Sequence, residues 1–209
     1  MTDYLLALEC AFFAWALHGG WRQVEQGFFA SFFGVTALAS TTGGTYHLFF
    51  PESSSLPAEL LWKATVVAMG AVAFAAWSIG ASLLFAQLTQ SRIIKAAAVE
   101  FLLYCIYVVA VDDRFVVAVA NYIPAALFLA LTFALRYWRH REARILAGLA
   151  GLGVTGVAAA VQRSGLGLHP LYFNHNATYH VIQAIGFLLI FIAAVFFARV
   201  PGQTARRRS

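Results

Sequence analysis

Charged residues are scarce in this sequence. Asp, Glu, Lys and Arg make up only 11% of the 209 residues, whereas soluble domains contain about 25%. Hydrophobic residues make up 61% of the chain, and so few charges cannot cover the surface of a soluble domain of this size. The composition therefore argues against a cytosolic enzyme or a nucleic-acid-binding domain. It predicts an integral multi-pass membrane protein, which we expect in the plasma (inner) membrane.

Other scarce residues and missing motifs argue against particular classes of membrane protein. The only lysines are Lys63 and Lys95, and neither lies in the last apolar segment, where a retinal Schiff base would need one. Cys10 and Cys105 lie inside apolar segments, where a thiol is usually a small buried hydrophobe. The sequence has no C-x-x-C-H motif, P-loop or G-x-G-x-x-G pattern, so neither covalent haem attachment nor nucleotide binding is predicted.

Seven apolar segments are long enough to cross a bilayer, which takes about 20 residues in a helix. Polar or helix-breaking residues separate them, as at 51–57 and 112–114. We therefore predict an all-α, polytopic bundle of seven transmembrane helices that forms one domain over residues 1–200, followed by a basic cytoplasmic tail over 201–209. The predicted segments cover about 4–20, 27–50, 58–88, 92–111, 115–138, 145–161 and 176–200.

The positions of the basic residues predict the orientation of this bundle. Cytoplasmic loops of membrane proteins carry the excess of Lys and Arg. Of the 14 basic residues, only Lys63, Arg114 and Arg163 fall on one side of the predicted bundle, and all others fall on the opposite side. We therefore predict that the amino terminus is outside and the carboxyl terminus inside.

Several ionisable residues are predicted to share the outer end of the bundle. Such groups are costly inside a membrane, so each is a candidate functional residue. His47 lies near the end of the second segment, and His175 and His180 lie at the start of the seventh. Glu59 and Asp112 reach the same end. Two or three imidazoles with a carboxylate or water suit zinc, although an interhelical hydrogen bond is the alternative for each histidine.

Polar residues also recur at helical spacing on the second, fourth and seventh segments. Facing lipid, they would leave donors and acceptors unpaired, so we expect them to face the bundle interior. The interior is therefore predicted to be a pocket, and the 19 phenylalanines supply apolar walls for a lipid-like ligand. The predicted substrate-pocket residues are Glu9, Thr36, Tyr104, Tyr107, Asn176 and Gln183.

This constellation resembles the CREST superfamily, a group of seven-helix membrane hydrolases that includes alkaline ceramidases and adiponectin-receptor-like proteins. Its members carry S-x-x-x-H on the second helix, an aspartate at the start of the third and H-x-x-x-H on the seventh. In this chain His47 follows G-G-T-Y, Glu59 opens the third segment and His180 lies in the seventh. The chain departs from the pattern at Gly43, which occupies the serine position, and at Asn176, four residues before His180.

The resemblance implies a zinc-dependent integral membrane hydrolase that acts on a lipid-like amide or ester at the outer membrane face. Three histidines would bind the zinc, and a zinc-bound hydroxide would attack the carbonyl group. Membrane lipids and a lipid-like substrate are the expected partners, with no nucleic acid. The implied metal ligands are His47, His175 and His180, and the implied catalytic residues are Glu59, Asp112 and Ser40, with Thr41 or Thr42 as alternatives to Ser40.

A non-enzymatic function is the alternative. His47 and His180 lie at matching depth and could ligate haem b or a pigment, with Gly43 and Gly44 leaving room for the macrocycle. The protein would then be an accessory subunit of a larger membrane complex, with partner subunits or as a homo-oligomer. Transport through a relay of intramembrane carboxylates is a third interpretation.

Overall fold

Seven α-helices make up most of the described part of the chain, which comprises residues 2–18, 24–50, 53–167, 169 and 174–199 of a computed structural model. This confirms the prediction of an all-α protein. The predicted tail at 201–209 lies outside the described residues. The helices are α1 (Thr2–His18), α2 (Val24–Phe49), α3 (Leu56–Leu84), α4 (Gln87–Ala110), α5 (Phe115–His140), α6 (Ala143–Ser164) and α7 (His175–Arg199).

Among the described residues, the five helices α3 to α7 are long and apolar enough to cross a membrane. The chain is therefore a membrane protein, as the composition predicts. Helices α1 and α2 are not among these five: α1 has only 17 residues, and α2 carries several hydroxyl-bearing residues along its length. Both helices nevertheless pack alongside the apolar helices, because α1 contacts α2 and α7, and α2 contacts α3.

The boundary between the third and fourth helices differs from the prediction. Helix α3 ends at Leu84 rather than near residue 88, and α4 begins at Gln87 rather than near residue 92. The chain is extended at Phe85 (ψ 155°) and at Ala86 (ψ 157°). Neither residue is a glycine or a proline, so the local sequence gives no signal for this break.

Six of the helices form a ring. Each of α1, α2, α3, α5, α6 and α7 contacts the next, and α7 contacts α1. Helix α3 is the most buried of the five apolar helices. Helix α4 lies outside the ring and, among the described helices, packs extensively only on α3.

The core of the ring is aromatic. Phe29 of α2, Phe133 of α5 and Phe197 of α7 stack with their ring centroids 6.1–6.4 Å apart. Phe32 and Phe33 are also fully buried. These rings pack on one another, so they form a close-packed core, whereas the sequence led us to expect the walls of an open pocket.

Glycines bring α6 and α7 into backbone contact. A Cβ atom added to Gly151 would lie 2.5 Å from the carbonyl oxygen of Gly186 and 2.9 Å from the side chain of Ile190. A Cβ atom on Gly186 would lie 2.7 Å from Thr155. Small residues allow this close approach of membrane helices, so both glycines are required for the α6–α7 packing.

We predict that Gly151→Ala destabilises the protein by about 1–3 kcal/mol, because its new methyl group meets backbone atoms that cannot rotate away. The matched control is Gly153→Ala on the same helix, where an added Cβ meets no atom within 4 Å. Thermal unfolding in mild detergent measures both variants. Equal unfolding temperatures for the two variants would contradict the described packing.

Candidate functional site

Polar side chains from four helices meet at the end of the bundle where α1, α3 and α7 begin and α2 ends. The hydroxyl groups of Tyr4 and Thr45 are 3.0 Å apart, and Thr65 donates a hydrogen bond to the hydroxyl oxygen of Thr42 at 2.9 Å. These contacts tie α1 and α3 to the last turns of α2. We call this region the polar end and define it by Thr2, Asp3, Tyr4, Thr42, Thr45, Thr65 and His180.

A hydroxyl group and a carboxylate lie on either side of an imidazole ring at the polar end. Oγ1 of Thr2 is 3.1 Å from Nδ1 of His180, and Oδ1 of Asp3 is 3.5 Å from Nε2 of the same ring. Asp3 and His180 are each only 8% exposed. Both ring nitrogens of His180 therefore face residues of α1.

Two glycines of α2 shape the space around these groups. A Cβ atom on Gly44 would lie 2.6 Å from the Cβ of Asp3, and one on Gly43 would lie 3.2 Å from the methyl group of Thr65. Asp3 can approach α2 only because Gly44 lacks a side chain. The room that the sequence suggested for a macrocycle is thus taken by the side chains of Asp3 and Thr65.

His47 lies at the edge of the polar end. Its ring is exposed and packs beside Tyr46 and Trp62, with centroids 5.5 Å and 6.1 Å away. It lies within electrostatic range of His180. The indole N–H of Trp62 donates a hydrogen bond to the carbonyl oxygen of Asp113 at 2.9 Å, which fixes this aromatic group to the α4–α5 connection.

The residues at the polar end do not fit a three-histidine zinc site as they are placed. A histidine ligand needs an unshared nitrogen lone pair, but both ring nitrogens of His180 face protein groups. His47 and His175 are both exposed. Within the described residues, no three His, Cys, Asp or Glu side chains are grouped to hold a metal ion. Zinc binding by these histidines stays a prediction.

The residues with an implied catalytic role lie apart from His180. Glu59 is exposed on the first turn of α3 and pairs with Lys63. Asp112 lies between α4 and α5, where hydrogen bonds from the side chain and backbone N–H of Arg114 lower the pKa of its carboxyl group. Ser40 is half-buried on α2. The hydrogen bond and the ion-pair contact of the His180 ring involve Thr2 and Asp3 and none of these three residues.

The predicted pocket residues do not line one shared cavity. Thr36 donates to the carbonyl oxygen of Phe32 within α2, and Asn176 accepts a hydrogen bond from Gln162 of α6 at 3.3 Å. Gln183 is half-buried on α7, beside Tyr179.

The other three predicted pocket residues lie on α1 and α4. Tyr104 donates to the carbonyl oxygen of Val66 at 2.8 Å. Tyr104 and the exposed Tyr107 both line a groove beside α4. Oε2 of Glu9 is buried without a hydrogen-bond partner among the described residues.

The sequence reasoning missed Thr2 and Asp3. The first segment was predicted to begin near residue 4, so these two residues fell outside it, whereas α1 begins at Thr2. A usable signal was present, because an acidic residue in the first turn of a helix is stabilised by the helix dipole. Extending the helix to include Asp3 would have placed a carboxylate at the same end as His180.

One family model matches residues 1–198, that is, nearly the whole chain, and its description is a family of unknown function, DUF6962. The chain belongs to the DUF6962 family. No curated protein and no solved structure shows significant similarity to it. The resemblance to the CREST superfamily therefore stays a prediction that rests on the residues quoted for it.

We predict that Gly44→Ala disrupts the polar end, because the added methyl group would displace Asp3 and with it the first turn of α1. The expected loss of stability is about 1–3 kcal/mol, measured by thermal unfolding in detergent. Gly34→Ala on the same helix is the control, since its Cβ would make only an ordinary 3.9 Å contact with Ala14. A Gly44→Ala variant as stable as Gly34→Ala would show that Asp3 does not pack as described.

Proposed function

We propose that this protein is an integral membrane hydrolase that acts on a lipid-like amide or ester and that Thr2, His180 and Asp3 carry the reaction. The observation behind the proposal is the succession of a half-buried hydroxyl group, a buried imidazole and a buried carboxylate at the polar end. A hydroxyl group, a base beside it and a third group that orients the base form the general arrangement of an activated nucleophile.

The burial of this group favours a functional role over a purely structural one. Removing a carboxylate and an imidazole from water costs free energy, and apolar side chains of similar volume often stabilise a protein as well or better. Elsewhere α1 uses apolar side chains for its buried contacts, including Leu6, Cys10 and Phe13. A carboxylate facing a histidine in this setting is better explained by chemistry than by stability.

The distances support a separate chemical role for each of the three side chains. Nδ1 of His180 would accept the proton of the Thr2 hydroxyl as the Thr2 oxygen attacks the carbonyl carbon of the substrate, and Asp3 would stabilise the imidazolium that forms. The imidazolium would then give its proton to the leaving amine or alcohol. Water would hydrolyse the acyl ester left on Thr2, with His180 again acting as the base.

The surroundings of the polar end favour a substrate that arrives from the lipid. Leu5 and Leu8 on α1 are each 67% exposed, and Val181, next to His180 on α7, is 43% exposed. Apolar side chains exposed beside a polar group suit an amphiphile, whose chains can stay in lipid while its carbonyl group reaches the site.

The test is hydrolysis of a panel of fluorogenic lipid amides and esters by protein in mild detergent. We expect Thr2→Val and His180→Ala each to lower kcat by about 10²–10⁴-fold, because each removes one member of the relay. Thr2→Ser keeps the hydroxyl group and should keep measurable activity. Activity should persist in a metal chelator, since no proposed step passes through a metal.

Two results would refute this assignment. Thr2→Val with the activity of the unmodified protein would remove Thr2 from the mechanism. Activity that chelator abolishes and zinc restores, together with zinc bound in stoichiometric amount, would favour the three-histidine prediction instead. His47→Ala separates the two schemes, because it should abolish zinc-dependent activity but leave a Thr2-based reaction within a few-fold.

We also propose that all seven helices cross the plasma membrane, with the polar end on the outside. Helix α2 has 26 residues and so is about 39 Å long. It packs between α1 and α3 and contributes fully buried phenylalanines to the core. The uneven distribution of the 14 basic residues supports the orientation.

Labelling of single introduced cysteines in intact cells tests this topology. Ser54→Cys, between α2 and α3, should react with a membrane-impermeant maleimide. Val24→Cys at the start of α2 and Thr89→Cys on the first turn of α4 should react only after permeabilisation. All three positions are exposed. Labelling of both Val24→Cys and Ser54→Cys in intact cells would rule out seven crossings. Labelling of Val24→Cys and Thr89→Cys without Ser54→Cys would invert the orientation.

A further inference from the structure

A groove runs between α4 and α5 and contains none of the three residues of the relay. Both helices pack on α3, and contacts between α4 and α5 are sparse within the described residues. The groove has a volume of about 470 Å³ and opens outward. Its walls include Ala96, Val99, Glu100 and Leu103 from α4 and Asn121 from α5.

Two polar atoms in this groove lack hydrogen bonds. Oε2 of Glu100 and Nδ2 of Asn121 are buried, and neither has a hydrogen-bond partner among the described residues. Glu100 lies near the middle of α4, a helix apolar enough to cross a membrane. Lipid chains offer neither donors nor acceptors, so an unpaired polar group at this depth is costly. The groove therefore needs an occupant that supplies one donor and one acceptor.

We propose that the occupant is a second copy of this chain. Glu100 and Asn121 line the groove, and the acceptor Oε2 of Glu100 and the donor Nδ2 of Asn121 are buried without partners among the described residues. Rotation of the two side chains into the groove brings both atoms to its surface. A twofold axis along the membrane normal presents the same two atoms from the other copy. Glu100 of each protomer then accepts a hydrogen bond from Asn121 of its partner. A twofold interface joins one surface to itself, so a self-complementary pair of groups satisfies both protomers at once.

The remaining surface of α4 suits this pairing. Ala96 lies one turn before Glu100 on the same face and lines the groove, and small side chains let two membrane helices approach closely. Val99 and Leu103 are 59% and 61% exposed and flank Glu100 on the groove. They supply the apolar contacts around the two hydrogen bonds.

Disulfide crosslinking of protein reconstituted in phosphatidylcholine vesicles tests the proposal, in a Cys105→Ser background. Leu103→Cys on the groove should give at least ten times more crosslinked dimer than Leu8→Cys, a control of matched exposure (67%) on α1. Adding Glu100→Leu or Asn121→Leu to the Leu103→Cys protein should reduce crosslinking to the control level. Glu100→Gln should preserve it, because the Gln carbonyl group still accepts a hydrogen bond.

Several outcomes would overturn the proposal. Equal crosslinking at Leu103→Cys and Leu8→Cys would show that the groove is not a dimer interface. This result does not depend on whether Glu100→Leu and Asn121→Leu fold. Crosslinking that survives both leucine substitutions would remove Glu100 and Asn121 from the interface. A monomeric protein that retains an amphiphile, detected by mass spectrometry and lost in Asn121→Leu, would assign the groove to a lipid. None of these results depends on the hydrolase assignment.

Discussion

The arrangement of the polar end depends on the contact between Asp3 and His180. A carboxylate and an imidazole that are each 8% exposed must face each other or another polar group, because neither can be solvated there. This requirement brings the first turn of α1 against α7, and it requires a glycine at position 44, since any Cβ atom there would overlap Asp3. One pair of groups thus constrains three helices, and the hydroxyl of Thr2 is brought to the imidazole as a consequence.

The rest of the bundle provides a rigid frame for this contact. The stacked rings of Phe29, Phe133 and Phe197 hold α2, α5 and α7 together below the polar end. Backbone contact at Gly151 and Gly186 fixes α6 to α7. Because α7 is held along its length, His180 has a defined position, which its proposed role as a base requires. Helix α4 is the exception, since it packs mainly on α3 and carries Glu100, whose buried Oε2 has no hydrogen-bond partner among the described residues.

Much of the fold could be predicted from the sequence, because apolar runs of bilayer length separated by polar residues locate membrane helices well. The break at Phe85 and Ala86 could not, since it has no glycine or proline. The site was predictable only in part. Helical spacing identified His180 as inward-facing, and it is buried. The same spacing placed His47 on the face of Gly43 and Gly44. The first residues of α1 contact α2 at Gly44 and Thr45, whereas the ring of His47, further along α2, is exposed.

The proposed reaction requires an acyl ester on Thr2, and trapping this ester tests the reaction directly. Protein mixed with a slowly hydrolysed lipid ester is quenched in acid, digested and examined by mass spectrometry. The amino-terminal peptide should gain the mass of the acyl group at Thr2, and His180→Ala should not form this adduct. Substrate turnover with no adduct at Thr2, or an adduct that forms equally well without His180, would exclude Thr2 as a nucleophile activated by His180.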